Sequence, residues 1–215
     1  MRAAFEATLA LGPAERTRLV GALAAAARAS TSGRFAAERR WTALLAERHP
    51  DDAGVACALL LRHLALAPGD AIFLPAGNLH AYLGGVGIEI MASSDNVLRG
   101  GLTPKHVDVA ELLRVLDFAA PEVPLLRPQR AGIELIYETP AREFRLSRLD
   151  VTPGARFDAE PWGPEIVLCT SGTLGATRGG KRLELRRGAS AFAAFAGGGY
   201  SLSGSGVAFR ACVAA

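Results

Sequence analysis

The sequence has few lysines and a small net charge, and both shortages narrow the classes of protein to consider. Of its 215 residues, 24 are Lys or Arg, but only Lys105 and Lys181 are lysines. A net charge of +3 on a chain of this length gives no indication of a nucleic-acid partner. With 50% hydrophobic and 21% charged residues, the composition also excludes a disordered chain. In so arginine-rich a background Lys105 is of interest, whereas Lys181 follows two glycines and is interpreted as part of an exposed hairpin turn.

Cysteine is scarce, and so are long apolar runs. Cys57, Cys169 and Cys212 are far apart in sequence and form no C-x-x-C pair, so neither a disulfide framework nor a cysteine zinc site is indicated. We interpret them as buried thiols in a reducing compartment. No secretion signal is apparent at the N-terminus, and no run approaches the roughly 18 apolar residues of a membrane span. These features predict a soluble, cytoplasmic protein that makes no membrane contact.

Common catalytic motifs are missing too. The sequence contains neither a Walker phosphate loop nor a G-x-S-x-G nucleophile motif. Residues 197–199 are three consecutive glycines, but they open no helical pattern and are therefore not interpreted as a nucleotide-binding loop.

The first 62 residues have a helical pattern. One helix is predicted to begin at Pro13 and to end before the Ser30–Gly33 break, because proline suits the first turn of a helix. A second is predicted from Phe35 to Arg48, and a third from Asp51 or Asp52. We interpret all three as packing helices without chemistry of their own.

From His63 onward the pattern changes to short strands separated by glycine and proline, such as the strand predicted over Ala71–Leu74. Asp108 and Glu111 have the spacing of a capping box and predict one further helix. A proline-rich linker at Pro121–Pro124 and more strands follow. The fold class predicted is mainly β with an α-helical segment, its strands forming a sandwich or barrel of the jelly-roll type.

Two residues are candidates for binding a metal or a polar ligand, each with a structural alternative. His80 follows a strand and a glycine-containing turn, where a metal ligand is often placed, but a lone histidine is more often structural. Glu89 lies between Ile88 and Ile90, so in a strand it faces away from both. It is then either solvent-facing or a buried carboxylate that needs a partner.

Two cationic residues follow in the same stretch. Arg99 precedes two glycines, which let the backbone approach another group closely. Its guanidinium suits a phosphate or an enediolate oxygen, or an ion pair with Asp95. Lys105 is a compact cation with a movable pKa, which suits phosphate binding or proton transfer. The Ser93–Asn96 stretch has the composition of a turn.

One long stretch resembles type I phosphomannose isomerases. It comprises Pro75-Ala-Gly-Asn-Leu-His-Ala-Tyr-Leu-Gly-Gly and, further on, Gly87-Ile-Glu-Ile-Met-Ala-Ser-Ser-Asp-Asn-Val-Leu-Arg-Gly-Gly-Leu-Thr-Pro-Lys-His-Val-Asp108. The resemblance implies interconversion of mannose 6-phosphate and fructose 6-phosphate with one zinc ion. It further implies cupin-type jelly rolls: a helical insert at 1–62, the C-terminal part of a catalytic cupin at 63–125, and a C-terminal cupin-like domain without metal ligands at 126–215.

The same resemblance implies a role for each candidate residue. His80 corresponds to the last zinc ligand, and Arg99 to the arginine that stabilises a cis-enediolate. Tyr82, Glu89 and Lys105 correspond to pocket residues that bind the substrate. Asp95 matches the motif as well, with a turn-forming or arginine-orienting role as the alternative to substrate contact.

The sequence departs from that family at the zinc site. Family members have a preceding half-domain whose Gln-x-His pair and glutamate complete the zinc site, whereas the only glutamine here is Gln129. We therefore expect a C-terminal portion of such an isomerase, inactive without an N-terminal half in the same chain or as a partner. The alternatives are a non-catalytic cupin module that binds a sugar phosphate or a protein partner, and another metal-dependent cupin enzyme.

Overall fold

The computed structural model describes residues 1–30, 32–94, 97–119 and 123–213 and divides into two compact units. The first unit comprises 1–65, 74–85 and 94–122, and the second comprises 66–73, 86–93 and 123–215. Among the described residues, no helix is both long and apolar enough to cross a membrane. The three cysteines are free and buried, as the sequence predicts.

The helices belong to the first unit: α1 (Arg2–Leu9), α2 (Pro13–Arg28), α3 (Ala36–Arg48), α4 (Gly54–Ala58) and α5 (Val109–Val115). The helices predicted from Pro13 and up to Arg48 are confirmed, and the third is a single short turn of helix. Asp108 caps α5, because its Oδ1 accepts a hydrogen bond from the Glu111 N–H at 3.0 Å. This bond satisfies an N–H at the start of the helix that would otherwise lack a partner.

Two clusters of buried side chains hold the first unit together. The α2–α3 cluster consists of Val20, Ala24, Leu45, Ala46 and Val55. The α1–α5 cluster consists of Phe5, Cys57, Leu112 and Leu116. Because α4 supplies Val55 to the first and Cys57 to the second, this short helix is shared by both clusters.

The second unit contains two antiparallel sheets. A small one pairs β1 (Ala71–Ile72) with β2 (Leu125–Leu126). The larger one has eight strands: β3 (Gln129–Ala131), β4 (Glu134–Tyr137), β5 (Arg145–Val151), β6 (Arg156–Ala159), β7 (Glu165–Arg178), β8 (Lys181–Arg186), β9 (Ser190–Ala193) and β10 (Tyr200–Cys212). Its main path runs β3-β4-β5-β10-β7-β8, while β6 pairs with β10 and β9 with β7.

The long strands β7 and β10 pair with each other, and on its other edge each of them pairs with two different strands in turn. The first half of β10 pairs with β6 and the second half with β5, with a β-bulge between Val207 and Ala208. A Cβ at Gly172, where φ is +72°, would lie 2.1 Å from the Ser205 carbonyl oxygen, so glycine is required there. This double use of two long strands gives the jelly-roll-like, mainly β fold expected from the sequence, although the sheet does not close into a barrel.

The prediction of short strands between His63 and the capping residue of α5 is largely wrong. Only Ala71–Ile72 of the predicted Ala71–Leu74 strand is extended and paired, and Ile88–Ile90 is in no strand. The turns at Pro68–Asp70 and Pro75–Asn78 do form, closed by backbone hydrogen bonds. A strand requires a second segment with which to pair, and within the described residues no strand pairing is assigned to 73–74 or 88–90, whereas a turn is set locally. Asp95, Asn96, Pro121 and Glu122 lie outside the described residues.

Candidate functional site

Two segments of the first unit carry predicted site residues, and each segment begins and ends with a leucine that packs against a core cluster. Leu79 and Leu98 pack against the α1–α5 cluster, while Leu83 and Leu102 pack against the α2–α3 cluster. The spacing is four residues in each segment, so segments 79–83 and 98–102 are fixed to the same two cores. His80 and Arg99 each follow the first leucine of their segment.

A pocket of about 400 Å³ lies at these two segments. It is lined by residues 79–83 and 98–103, together with residues of α3 and its C-terminal end: Trp41, Leu44, Leu45, Arg48 and His49. The segments approach closely, because a Cβ at Gly100 would lie 2.7 Å from the Leu79 Cδ1. The side chains adjacent to these two positions, His80 and Arg99, therefore line one cavity.

The pocket has a one-sided charge. Among its described lining residues, those that can carry a charge near neutral pH are all basic: Arg48, His49, His80 and Arg99. Gly100 and Gly101 add backbone to the wall, and Thr103 adds a hydroxyl group. A cavity with this lining favours an anionic ligand, since no carboxylate among those residues opposes it.

The hydrogen bond of His80 determines which of its ring nitrogens is available. Nδ1 lies 3.0 Å from the Asn78 carbonyl oxygen. A carbonyl oxygen only accepts hydrogen bonds, so Nδ1 carries the proton in this contact and Nε2 has the free lone pair of the neutral ring. A histidine oriented in this way by a backbone carbonyl is suited to bind a metal ion through Nε2.

Tyr82 and Arg99 line the same pocket as His80. The Tyr82 ring lies edge-on to the His80 ring at 5.9 Å between centroids, and 70% of the residue is exposed. Arg99 is exposed as well. The structure thus brings together three of the five residues implied by the resemblance, while their roles stay predictions.

Lys105 and Glu89 are placed differently. Lys105 is exposed just beyond the pocket-lining stretch, and its backbone N–H donates to the Thr103 Oγ1 at 3.2 Å. Glu89 belongs to the second unit, where it is exposed while Ile88 and Ile90 are half-buried. Its carboxylate therefore faces away from the two isoleucines, and of the two readings of the sequence the exposed one holds in this chain.

The contribution of α3 to the pocket was not predicted from the sequence. Trp41 and Arg48 of α3, with His49 at its end, line the pocket, so this helix forms part of the cavity wall in addition to packing against its neighbours. Two consecutive basic residues before Pro50, at the C-terminal end of an amphipathic helix, were the available signal.

The described residues do not make up a metal site. Within them, no group of three or more His, Cys, Asp or Glu side chains is arranged to hold a metal ion. His80 offers one nitrogen of suitable chemistry, whereas a zinc ion takes about four ligands, three of them from protein in catalytic sites. The residues present therefore fit one position of a zinc site.

Known proteins similar to this chain include several mannose-6-phosphate isomerases. Mannose-6-phosphate isomerase from Escherichia coli is 40% identical over 153 residues, which are 70% of this chain and 39% of that protein. The Emericella nidulans enzyme is 37% identical over 161 residues, 67% of this chain and 35% of the relative. No protein-family model matches.

Solved structures agree with the sequence relatives. Mannose 6-phosphate isomerase from Salmonella typhimurium, bound to its substrate fructose 6-phosphate and to zinc, matches all of this chain with a TM-score of 0.85 at 32% identity. The apo form of that protein matches with the same TM-score and identity. The chain is homologous to the mannose-6-phosphate isomerases. The resemblance found in the sequence is thereby confirmed.

The match covers only part of each relative. The chain spans 39% of the Escherichia coli protein and 54% of the solved Salmonella typhimurium chains. The zinc and substrate of the crystal structure belong to that longer protein.

Proposed function

We propose that this chain forms part of an aldose–ketose isomerase that interconverts mannose 6-phosphate and fructose 6-phosphate. The observation that carries the proposal is the pocket whose charged lining residues are all basic and include His80 and Arg99. A sugar phosphate is a small polar anion, which complements that lining in size and in charge. The homologous isomerases support the same substrate class.

Arg99 has the central chemical role in this proposal. Moving a proton between C1 and C2 of the sugar develops negative charge on two neighbouring oxygens, as in a cis-enediolate. A guanidinium positioned at those oxygens stabilises the charge, because it presents several donors in a fixed plane. His80 would hold a zinc ion through Nε2, and the ion would supply Lewis-acid stabilisation of the same charge.

The remaining predicted residues bind the substrate. Tyr82 offers a hydroxyl group and a ring edge at the mouth of the pocket. Lys105 supplies a cation beside the pocket-lining stretch, and for Glu89 the resemblance implies substrate binding. The proposal places the chain in the cytoplasm, since its three buried cysteines are free thiols.

We further propose that the zinc site is incomplete in this chain. His80 supplies one ligand, and the others come from an N-terminal half that is joined to it or binds as a partner. The absence of a three-ligand group among the described residues favours a second candidate, a non-catalytic module that binds a sugar phosphate in the same pocket.

The two candidates are separated by measuring turnover with and without a complementing half. The purified chain is assayed for fructose 6-phosphate formation from mannose 6-phosphate with zinc, alone and mixed with the N-terminal half of the Escherichia coli relative. We expect turnover only in the mixture, and its loss when the chain carries Arg99→Ala or His80→Ala. Binding of mannose 6-phosphate without turnover in any mixture supports the module instead. Turnover by the chain alone contradicts an incomplete site.

A further inference from the structure

Asp52, where the sequence predicts only the start of a helix, connects the helical part of the first unit to the segment that carries Arg99. Its Oδ1 accepts a hydrogen bond from the Gly54 N–H at 2.7 Å, at the start of α4. Its Oδ2 accepts one from the Leu102 N–H, also at 2.7 Å. Both oxygens of one half-buried carboxylate therefore join two segments that are 50 residues apart.

The backbones of these two segments also touch directly. A Cβ at Gly101, where φ is +119°, would lie 2.9 Å from the Gly54 Cα and 2.9 Å from the Asp52 Oδ1. A Cβ at Gly54 would in turn lie 2.9 Å from the Leu102 nitrogen. Only glycine at both positions allows this approach, and the approach is what brings the Leu102 N–H within reach of the carboxylate.

Leu102 has an unfavourable backbone conformation in this contact. Its φ is +57°, in the left-handed region that residues with a Cβ adopt at a cost in free energy. The cost is offset by the bond to Asp52 and by the packing of the Leu102 side chain against the α2–α3 cluster. Such a conformation persists only where its surroundings hold it.

The contact between Asp52 and the Leu102 N–H bears on the position of Arg99. Among the described residues, no side chain or carbonyl group forms a hydrogen bond or ion pair with its guanidinium. Its position in the pocket therefore depends on the backbone between Leu98, which packs against the α1–α5 cluster, and Leu102. Releasing Leu102 frees one end of that five-residue segment.

We propose that Asp52 is a positioning residue for Arg99: its carboxylate fixes the Leu102 end of the pocket wall and thereby the place of the guanidinium. The expected effect on mannose 6-phosphate binding rests on the proposed function. The positioning itself is a property of the chain alone.

The test uses Asp52→Asn, with Asp51→Asn as the matched control. Asp51 is its exposed neighbour and accepts a hydrogen bond from the Thr17 hydroxyl group at 2.7 Å, so the control makes the same charge change one residue away. An amide nitrogen at position 52 cannot accept a hydrogen bond, so one of the two backbone bonds is lost. Should Asp52→Asn fail to fold, Gly101→Ala separates the same two backbones without changing any charge.

Two measurements are made on the whole chain. Amide hydrogen exchange is followed at 98–103 and in α2, and mannose 6-phosphate affinity is measured from Trp41 fluorescence in a Trp162→Phe background. In Asp52→Asn we expect exchange at 98–103 and the dissociation constant each to rise about tenfold, the change for one charge-assisted hydrogen bond. Exchange in α2 should not change, and Asp51→Asn should alter neither measurement.

A double-mutant cycle separates positioning from general destabilisation. If Asp52 acts through Arg99, Asp52→Asn weakens binding in the wild-type chain but has little further effect in the Arg99→Ala chain. An equal loss in both backgrounds overturns the inference, as does unchanged exchange at 98–103. If the isolated wild-type chain binds no mannose 6-phosphate, the second candidate, a binding module, fails, and exchange at Leu102 still decides whether Asp52 fixes the segment.

Discussion

Arg210 and Glu165 form a two-point ion pair inside the large sheet, with Nε donating to Oε2 at 2.8 Å and Nη2 to Oε1 at 2.5 Å. Arg210 is 4% exposed and Glu165 only 1%. Nη1 of the same guanidinium donates to the Glu134 Oε1 at 2.9 Å, and the Tyr200 hydroxyl group donates to the Glu165 Oε2 at 2.8 Å. Burial by itself lowers the pKa of Arg210, but the hydrogen bonds and charge of Glu165 outweigh burial and raise it.

Removing the arginine should therefore destabilise the second unit strongly. Arg210→Met leaves two buried carboxylates without their cation, and such a loss costs about 3–5 kcal/mol. The control is Arg186→Met, because Arg186 forms an exposed ion pair with Glu184 at 2.7 Å. Exposed pairs contribute at most about 1 kcal/mol. Urea unfolding followed by circular dichroism measures the loss of unfolding free energy in both variants. Equal losses would contradict a stabilising role for the buried ion pairs of Arg210.

The helices could be predicted from the sequence because their ends are marked locally. Pro13 begins α2, Pro50 follows α3, and Asp108 caps α5 through the residue three positions on. Each signal acts within one turn of helix, so no knowledge of distant residues is required.

The cap of α5 gives the most local of the stability predictions. Asp108→Ala removes the acceptor of the Glu111 N–H and should lower the free energy of unfolding of the first unit by about 1 kcal/mol. Asp108→Asn, which retains an oxygen acceptor, should restore most of the loss. Thermal unfolding of the wild type and the two variants measures these differences in stability. An asparagine variant as unstable as the alanine variant would show that loss of the cap does not cause the destabilisation.

What the sequence could not predict depends on long-range partners. Arg210 and Glu165 are 45 residues apart, and Asp52 is 50 residues from Leu102. The prediction of strands before α5 was largely wrong for the same reason, because strand pairing depends on a second segment rather than on local composition. His80, Tyr82 and Arg99 could be grouped in advance only through the family resemblance, and that resemblance gave no indication of the α3 wall.

Arg48 should contribute to anion binding from that wall. Arg48 is one of the lining residues, so Arg48→Ala should weaken mannose 6-phosphate binding roughly tenfold, the value of one charge-assisted contact. Arg28→Ala is the control, since Arg28 lies in the last turn of α2 as Arg48 does in the last turn of α3. The two substitutions thus remove the same favourable interaction with the helix dipole.

Fluorescence titration of Trp41 with mannose 6-phosphate and with unphosphorylated mannose measures the effect of Arg48. The loss should be confined to the phosphorylated sugar, because only that ligand carries a charge for Arg48 to bind. An equal loss of affinity for both sugars would mean that the arginine shapes the pocket and does not recognise the phosphate.

Stability at alkaline pH should depend on the buried thiol of Cys57. Burial, with a smaller contribution from the negative charge of Asp52, raises the pKa of the Cys57 thiol from 9.0 to about 11. Between those values the unfolded chain loses the thiol proton while the folded chain retains it. The contribution of the thiol to the free energy of unfolding is therefore complete below pH 9 and is lost as the pH rises to 11.

Cys57→Ala removes this contribution of the thiol. The destabilisation of the variant relative to wild type should therefore shrink by about 1–2 kcal/mol between pH 8 and pH 10.5. Cys169 and Tyr200, whose pKa values burial also raises, are present in both proteins and cancel in the difference. Urea unfolding of both proteins at the two pH values measures it, and a difference that does not change with pH would show that Cys57 ionises as readily in the folded chain as in the unfolded one.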